Sequence, residues 1–170
     1  MDADVRQAIE QLFVQYGRGI GSYILTRVGD AELAEEITAR VFLTVVRRFH
    51  QCRGSAVGWL WAIVRTELGQ HFRRRRRLAP LSDEMIDPAG TPPEIAQRRE
   101  MELRMRTALE ELTDEEQQIV TMKFFLKVRN KEIAGALGIS ANNVGVKVHR
   151  ALRRLHELME EDVQEQEGIA

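Results

Sequence analysis

Asn142, Asn143, Lys147, Arg150, Arg153 and Arg154 crowd into one short stretch in which Val144, Val148, Leu152, Leu155 and Met159 recur at helical spacing. A helix built this way keeps an apolar face inward and offers amides and cations outward. Asparagine suits bidentate reading of adenine edges, and lysine or arginine suits guanine edges or phosphate. A second group lies far upstream: Trp59, Trp61, Arg65, His71 and Phe72 lead into the run Arg73 to Arg77. Five consecutive like charges are also found at ordinary solvated helix ends. Aromatic company shifts the balance, because single-stranded nucleic acid is held by base stacking along a positive groove. Trp59, spaced with Ile63, reads as a core residue, and Trp61 falls on another face.

Other chemistries are poorly served. His50, Cys52 and His71 do not match the spacing of a structural zinc site. No glycine-rich phosphate loop, paired-carboxylate signature or nucleophile elbow is present. The residues therefore point to a binding protein rather than an enzyme, with no metal and no cofactor expected.

The elements that must position these groups all read as helices. Ile9, Leu12, Phe13 and Tyr16 mark the first, and a second begins after Gly29-Asp30 with Leu33, Ile37, Val41, Phe42, Leu43 and Val45. A third is predicted from about Val57 to Arg76, with Leu60, Ile63, Val64, Leu68 and Phe72 inward. After it come all four prolines, Pro80, Pro88, Pro92 and Pro93. Proline removes a backbone donor and restricts its predecessor, so residues 81–93 are expected to be a linker between two domains. The expected division is 1–80, the linker 81–93, 94–160, and an acidic, disordered tail over 161–170.

In the second half a charged helix from Glu94 to Leu112 precedes Thr113-Asp-Glu-Glu116, a capping box for the next helix, which carries Ile119, Val120, Phe124 and Phe125. Asn130 is expected to cap a short helix that Gly138 ends in the left-handed conformation, and Ser140 to cap the last one. Short helix, tight turn and basic second helix make a helix-turn-helix. The fold class expected is all-α, two small helical domains with the helix-turn-helix in the second.

Charge supports two polyanion-facing surfaces. The chain of 170 residues has a formal net charge of −1. From Arg47 to Arg77, however, nine arginines face one glutamate, and from Gln118 to Met159 eight cations face two acids. Acidic blocks flank both, so the near-neutral total is an average over alternating segments. The single cysteine fits a reducing cytoplasm, and neither a leader nor a membrane-spanning run is read from the sequence.

Together, Gly29-Asp30-Ala-Glu-Leu-Ala-Glu-Glu36, Phe42-Leu43, Arg53-Gly-Ser55, Trp59-Leu-Trp-Ala-Ile-Val-Arg65, the arginine run, Leu109-Glu-Glu-Leu112, Glu132-Ile-Ala134, Leu137-Gly-Ile-Ser140 and His149-Arg-Ala151 resemble a bacterial sigma factor of the extracytoplasmic-function type. The resemblance covers about residues 8 to 158. It implies a first domain that docks on the clamp helices of the largest RNA polymerase subunit through its second helix, at Glu32, Glu35, Glu36 and Arg40. The same domain would recognise and open the minus-ten element through Arg53, Ser55, Trp61, Arg65, Thr66, Gln70, Arg73 and Arg74, with the loop His50 to Gly58 holding a flipped base. It implies a second domain that reads duplex at the minus-thirty-five element through Asn142, Asn143, Val146, Lys147, Arg150, Arg153 and Arg154 and touches the flap of the second-largest subunit. An anti-sigma protein is implied as a further partner, inserted between domains that few contacts join.

Several positions depart from the family pattern. Arg40 replaces an acidic residue, which predicts weaker or different clamp contacts, and the neighbouring Thr38 is a candidate for phosphorylation that would restore negative charge. Thr66 and Gln70 replace Asn and Asp, and Lys127-Val-Arg129 replaces Gly-x-Ser. The recognition helix has Asn143, Gly145, Val146 and Lys147 for Thr, Lys, Ser and Arg. A promoter sequence unlike the common one is expected. The competing reading is a polymerase-independent helix-turn-helix regulator with a helical dimerisation domain.

Overall fold

In the computed structural model, residues 2–78 and 92–167 are described, with side chains to residue 160. Among the described residues every regular element is helical. Helix α1 (Ala3–Val28) buries Ile9, Leu12, Tyr16, Ile20, Tyr23 and Ile24, spaced three and four apart along a single stripe. It stops at Gly29, whose φ of 72° is the left-handed conformation and whose amide donates to the Leu25 carbonyl at 2.8 Å. Asp30 then caps α2 (Ala31–Arg48) by accepting from the Leu33 amide at 2.8 Å. So short a turn lays α2 back along α1.

A 3₁₀ turn at Phe49–Gln51 leads to Gly54, with φ of 69°. Ser55 caps α3 (Ala56–Leu78) through a hydrogen bond from the Gly58 amide, 3.2 Å. The predicted linker, apart from Pro92 and Pro93, lies outside the described residues. Pro93 opens α4 (Pro93–Glu111), where its missing amide and fixed φ suit a first helical position. The Thr113 capping box forms as expected and starts α5 (Asp114–Val120).

The stretch that carries Phe124 and Phe125 is not a continuation of that α-helix. It is a π-helical turn, Thr121–Phe125, closed by the Leu126 amide on the Thr121 carbonyl at 2.9 Å. Next comes α6 (Asn130–Leu137), and here the expected cap is corrected. Arg129 holds the N-cap position, and its amide donates to Glu132 Oε2 at 3.3 Å. Asn130 is inside the first turn, and its side-chain oxygen accepts from Lys123 Nζ at 2.7 Å. Gly138 does take the left-handed conformation, φ 67°, and Ser140 does cap the last helix α7 (Ala141–Glu167) through the Asn143 amide. The helical backbone of α7 runs into the segment expected to be a disordered acidic tail.

The two halves share a core. Met122, Leu126, Val128, Ile133, Ala134 and Val144 pack into the same buried cluster as Ile20, Tyr23, Leu60, Trp61 and Val64. A smaller cluster of Leu109, Leu112, Val120 and Ala151 ties α4, α5 and α7 together. The two halves meet through this packed apolar surface.

Candidate nucleic-acid interface

Trp61 is deeper in the core than expected, and Trp59 packs against the core from its edge. Trp61 is 4% exposed, and its ring lies 5.3 Å from that of Tyr23. Trp59 is only half-buried, edge-on to Phe49 at 6.1 Å. The physical reason is the width of the buried stripe on α3: Val57, Leu60, Trp61, Val64 and Leu68 follow the full i, i+3, i+4, i+7 pattern, and Trp61 belongs to it. Tyr23 in turn meets Phe125 edge-on at 5.3 Å, so three rings in series cross from one half to the other. Burial raises the Tyr23 phenol above its ordinary range, Arg27 pulling the other way.

Arg65, Thr66, Gln70, Arg73 and Arg74 are exposed on α3. Their environments differ. Thr66 spends its hydroxyl on the Ala62 carbonyl at 2.8 Å, whereas Arg65 Nη1 sits 2.7 Å from Asp114 Oδ2. In the loop between α2 and α3, exposed Arg53 donates to the carbonyls of His50 and Cys52, at 2.7 and 3.1 Å. Arg53 and Ser55 therefore shape this loop. Burial pushes the Cys52 thiol up, against the pull of Arg53.

On α2, Glu32, Glu35 and Glu36 are exposed. Arg40 does not stand out among them as a reversed charge. It pairs with Glu36 one turn back and reaches Glu67 on α3 at 3.7 Å, so two carboxylates offset it. Thr38 donates its hydroxyl to the Ala34 carbonyl at 2.7 Å and borders an apolar groove between α1 and α2, with Phe13, Leu25 and Phe42. His71 is held below its ordinary value by burial and then by Arg40 and Arg75. Among the described residues no cluster of His, Cys, Asp and Glu has the grouping needed to hold a metal ion.

Helix α7 presents a concave surface formed by Asn142, Gly145, Val146, His149, Arg150 and Arg153. Asn142, Asn143 and Arg150 are exposed, and so is Val146 at 46%. Lys147 differs: it is half-buried and pairs with Glu115 of α5 at 2.7 Å. Arg153 and Arg154 flank Glu157 at 3.8 and 3.9 Å. Sequence reasoning missed His149, although it lies one turn beyond Val146. It also missed Asp114, Glu115 and Arg27, whose partners are distant in the chain, and Glu132, which caps α6 locally. Arg27 spans the halves twice, donating to Gln117 Oε1 at 3.0 Å and approaching Glu110 at 4.0 Å.

Two family models match the chain, one in each half. Residues 12–78 match the family model described as Sigma-70 region 2, and residues 102–155 match the one described as Sigma-70, region 4. The chain is 28% identical over 162 residues to the ECF RNA polymerase sigma factor BldN of Streptomyces coelicolor, covering 91% of this chain but 61% of BldN. It is 24% identical to the ECF RNA polymerase sigma factor SigX of Bacillus subtilis, covering 92% of this chain and 86% of SigX. In fold it is similar to the sigma factor RpoE of Bartonella quintana, solved in complex with the anti-sigma factor NepR. That match has a TM-score of 0.54 at 17% identity and covers 91% of this chain and 98% of that one. The chain belongs to the sigma-70 family, as a sigma factor of the extracytoplasmic-function type. Such factors direct RNA polymerase to promoters. Among the described residues no helix is long and apolar enough to cross a membrane.

Proposed function

We propose that residues 1–80 dock on the polymerase clamp and open the minus-ten element, and that residues 94–160 read the minus-thirty-five element. The observation that carries this reading is the order of the two matched regions in one chain, each bearing its own exposed basic helix. In the first half, Glu32, Glu35 and Glu36 offer the clamp an acidic strip beside the apolar groove. Arg53 and Ser55 shape the loop that takes the flipped base, at an unstacking cost of a few kcal/mol. Arg65, Gln70, Arg73 and Arg74 supply the positive track for the strand. Trp61 serves as packing under that track, and Thr66 adds little hydrogen bonding of its own.

In the second half, Asn142, Asn143 and Val146 face base edges, Arg150, Arg153 and Arg154 face phosphate, and Lys147 positions the helix against α5. The chain acts by binding and not as an enzyme, in the cytoplasm where polymerase and chromosome meet. An anti-sigma protein is a further proposed partner, supported by the Bartonella relative solved with one. Gel filtration with core RNA polymerase, followed by transcription from promoters selected out of a random DNA pool, tests the reading. Co-elution and selection of a two-element promoter are expected. Failure to bind core enzyme, with dimeric binding to duplex DNA alone, would overturn it.

A further inference from the structure

Val146 is an exposed apolar side chain, at 46%, on the face of α7 assigned above to base edges. The residues around it stand in two rows. Asn142, Val146 and Arg150 follow one another four residues apart, and so do Gly145, His149 and Arg153 in the adjoining row. All six border one concave surface. Gly145 makes the gap in the second row, since a Cβ added there would meet no atom of the chain within 4 Å. Packing therefore does not require this glycine, although alanine would favour the helix. The result is a notch with Val146 as its apolar wall, His149 one turn on, and an amide and two guanidinium groups around it. Among the described residues the side chains of Asn142, His149 and Arg150 have no hydrogen bond or ion pair inside the chain. Lys147 and Arg153, by contrast, are paired with Glu115 and Glu157.

We infer that this notch receives the 5-methyl group of one thymine in the upstream duplex, so that Val146 and Gly145 set a requirement for thymine at that base pair. The inference rests on the sigma reading above and names what this surface selects. In the major groove adenine, guanine and cytosine present hydrogen-bonding groups alone, whereas thymine adds a methyl group. Valine cannot pair with donors and acceptors, and covering them removes their hydration without return. The methyl is the one group on a base edge that valine favours. A protruding methyl also needs a concavity, which a side chain at position 145 would fill. Asn142 lies one turn nearer the start of α7, about 6 Å along the axis. The amide is thus placed to read an adenine within about two base pairs of the thymine.

The test uses upstream duplexes selected from a random pool by the holoenzyme and, in parallel, by the chain alone. Each thymine of the selected element is replaced in turn by deoxyuridine, which keeps the pairing groups and removes only the methyl, and affinity is read by fluorescence anisotropy. At one thymine the loss is expected to be about fourfold, as for one methyl removed from an apolar contact. Val146→Ser and Gly145→Leu should bind the thymine and deoxyuridine probes equally, the first by removing the wall and the second by filling the notch. Both positions are exposed, so neither change disturbs the core. Arg150→Ala should weaken binding to both probes and preserve their ratio. A selected element without thymine, or one in which every thymine tolerates deoxyuridine without loss, would overturn the inference, while co-elution with core polymerase would leave the sigma reading standing. A methyl preference that survives in both notch variants would overturn it as well. Methyl dependence in the chain alone, without core binding, would uphold the notch and overturn the sigma reading. Selection of no duplex by either would overturn both.

Discussion

Arg65 Nη1 and Asp114 Oδ2 lie 2.7 Å apart although 49 residues separate them in the chain. The pair joins the middle of α3 to the first turn of α5, and both side chains are largely exposed, at 57% and 74%. Exposed pairs are worth little to stability, because water screens them and two side chains must be ordered. A double-mutant cycle with Arg65→Ala and Asp114→Ala, read from urea unfolding, should give a coupling of about 0.2–1 kcal/mol. About 1 M salt should abolish it. A coupling that persists in salt would mean the pair is more desolvated than its exposure indicates.

Lys127 is the one non-glycine residue with positive φ among the described residues, at 56°. Its Cβ crowds the following carbonyl in that conformation, at roughly 1–2 kcal/mol for an L-residue. Part of the relief in Lys127→Gly is offset by the greater freedom of glycine in the unfolded chain. A net gain of about 0.5–1 kcal/mol is expected from chemical denaturation. Loss of stability would show that the lysine side chain makes a compensating contact.

The histidine on α3 makes stability depend on pH. His71 has its folded-state pKa lowered from 6.5 by burial and by Arg40 and Arg75. Below 6.5 the unfolded chain takes up a proton that the folded chain resists. Stability linked to this group is therefore complete above that pH and is lost as pH falls through the depressed folded value. Thermal midpoints measured from pH 7.5 down to 5 should fall less steeply for His71→Gln than for the unaltered chain. Parallel curves would remove His71 as a contributor.

The recognition helix should divide by role. Arg150→Ala is expected to weaken upstream duplex binding uniformly and to reduce the salt slope by about one. Asn142→Ala should cost about 1–3 kcal/mol at one base pair and little elsewhere. Lys147→Ala should leave base preference largely intact, because Lys147 is already held by Glu115. Fluorescence anisotropy of holoenzyme on a panel of upstream variants checks all three. A base-specific loss in Lys147→Ala would return that residue to direct readout.

Much of this protein is legible without its structure, for reasons that are local. Helix periodicity, the Thr113 box, the Ser140 cap and the left-handed Gly138 each depend on residues within one or two turns. They are written in consecutive sequence, and so are the helix-turn-helix and the division of charge into blocks. Even locally there are limits: the Asn130 cap moved to Arg129 once Lys123 claimed the asparagine. The π-helical turn at Thr121 also left no signal in the apolar pattern.

What only the tertiary structure decided is which faces become inner. An apolar stripe says that a face is buried but not how wide the burial is, so Trp61 and Trp59 could be ranked only once α3 had its neighbours. Likewise a charge has no fixed meaning until its partner is placed. Arg40 reads as an intrusion in an acidic strip and proves to be offset by Glu36 and Glu67. Arg65 is expected on the minus-ten strand, and the structure pairs it with Asp114. Spacing within a helix sets which side chains share a face; the packing of one helix on another, summed over segments far apart in the chain, sets what that face meets.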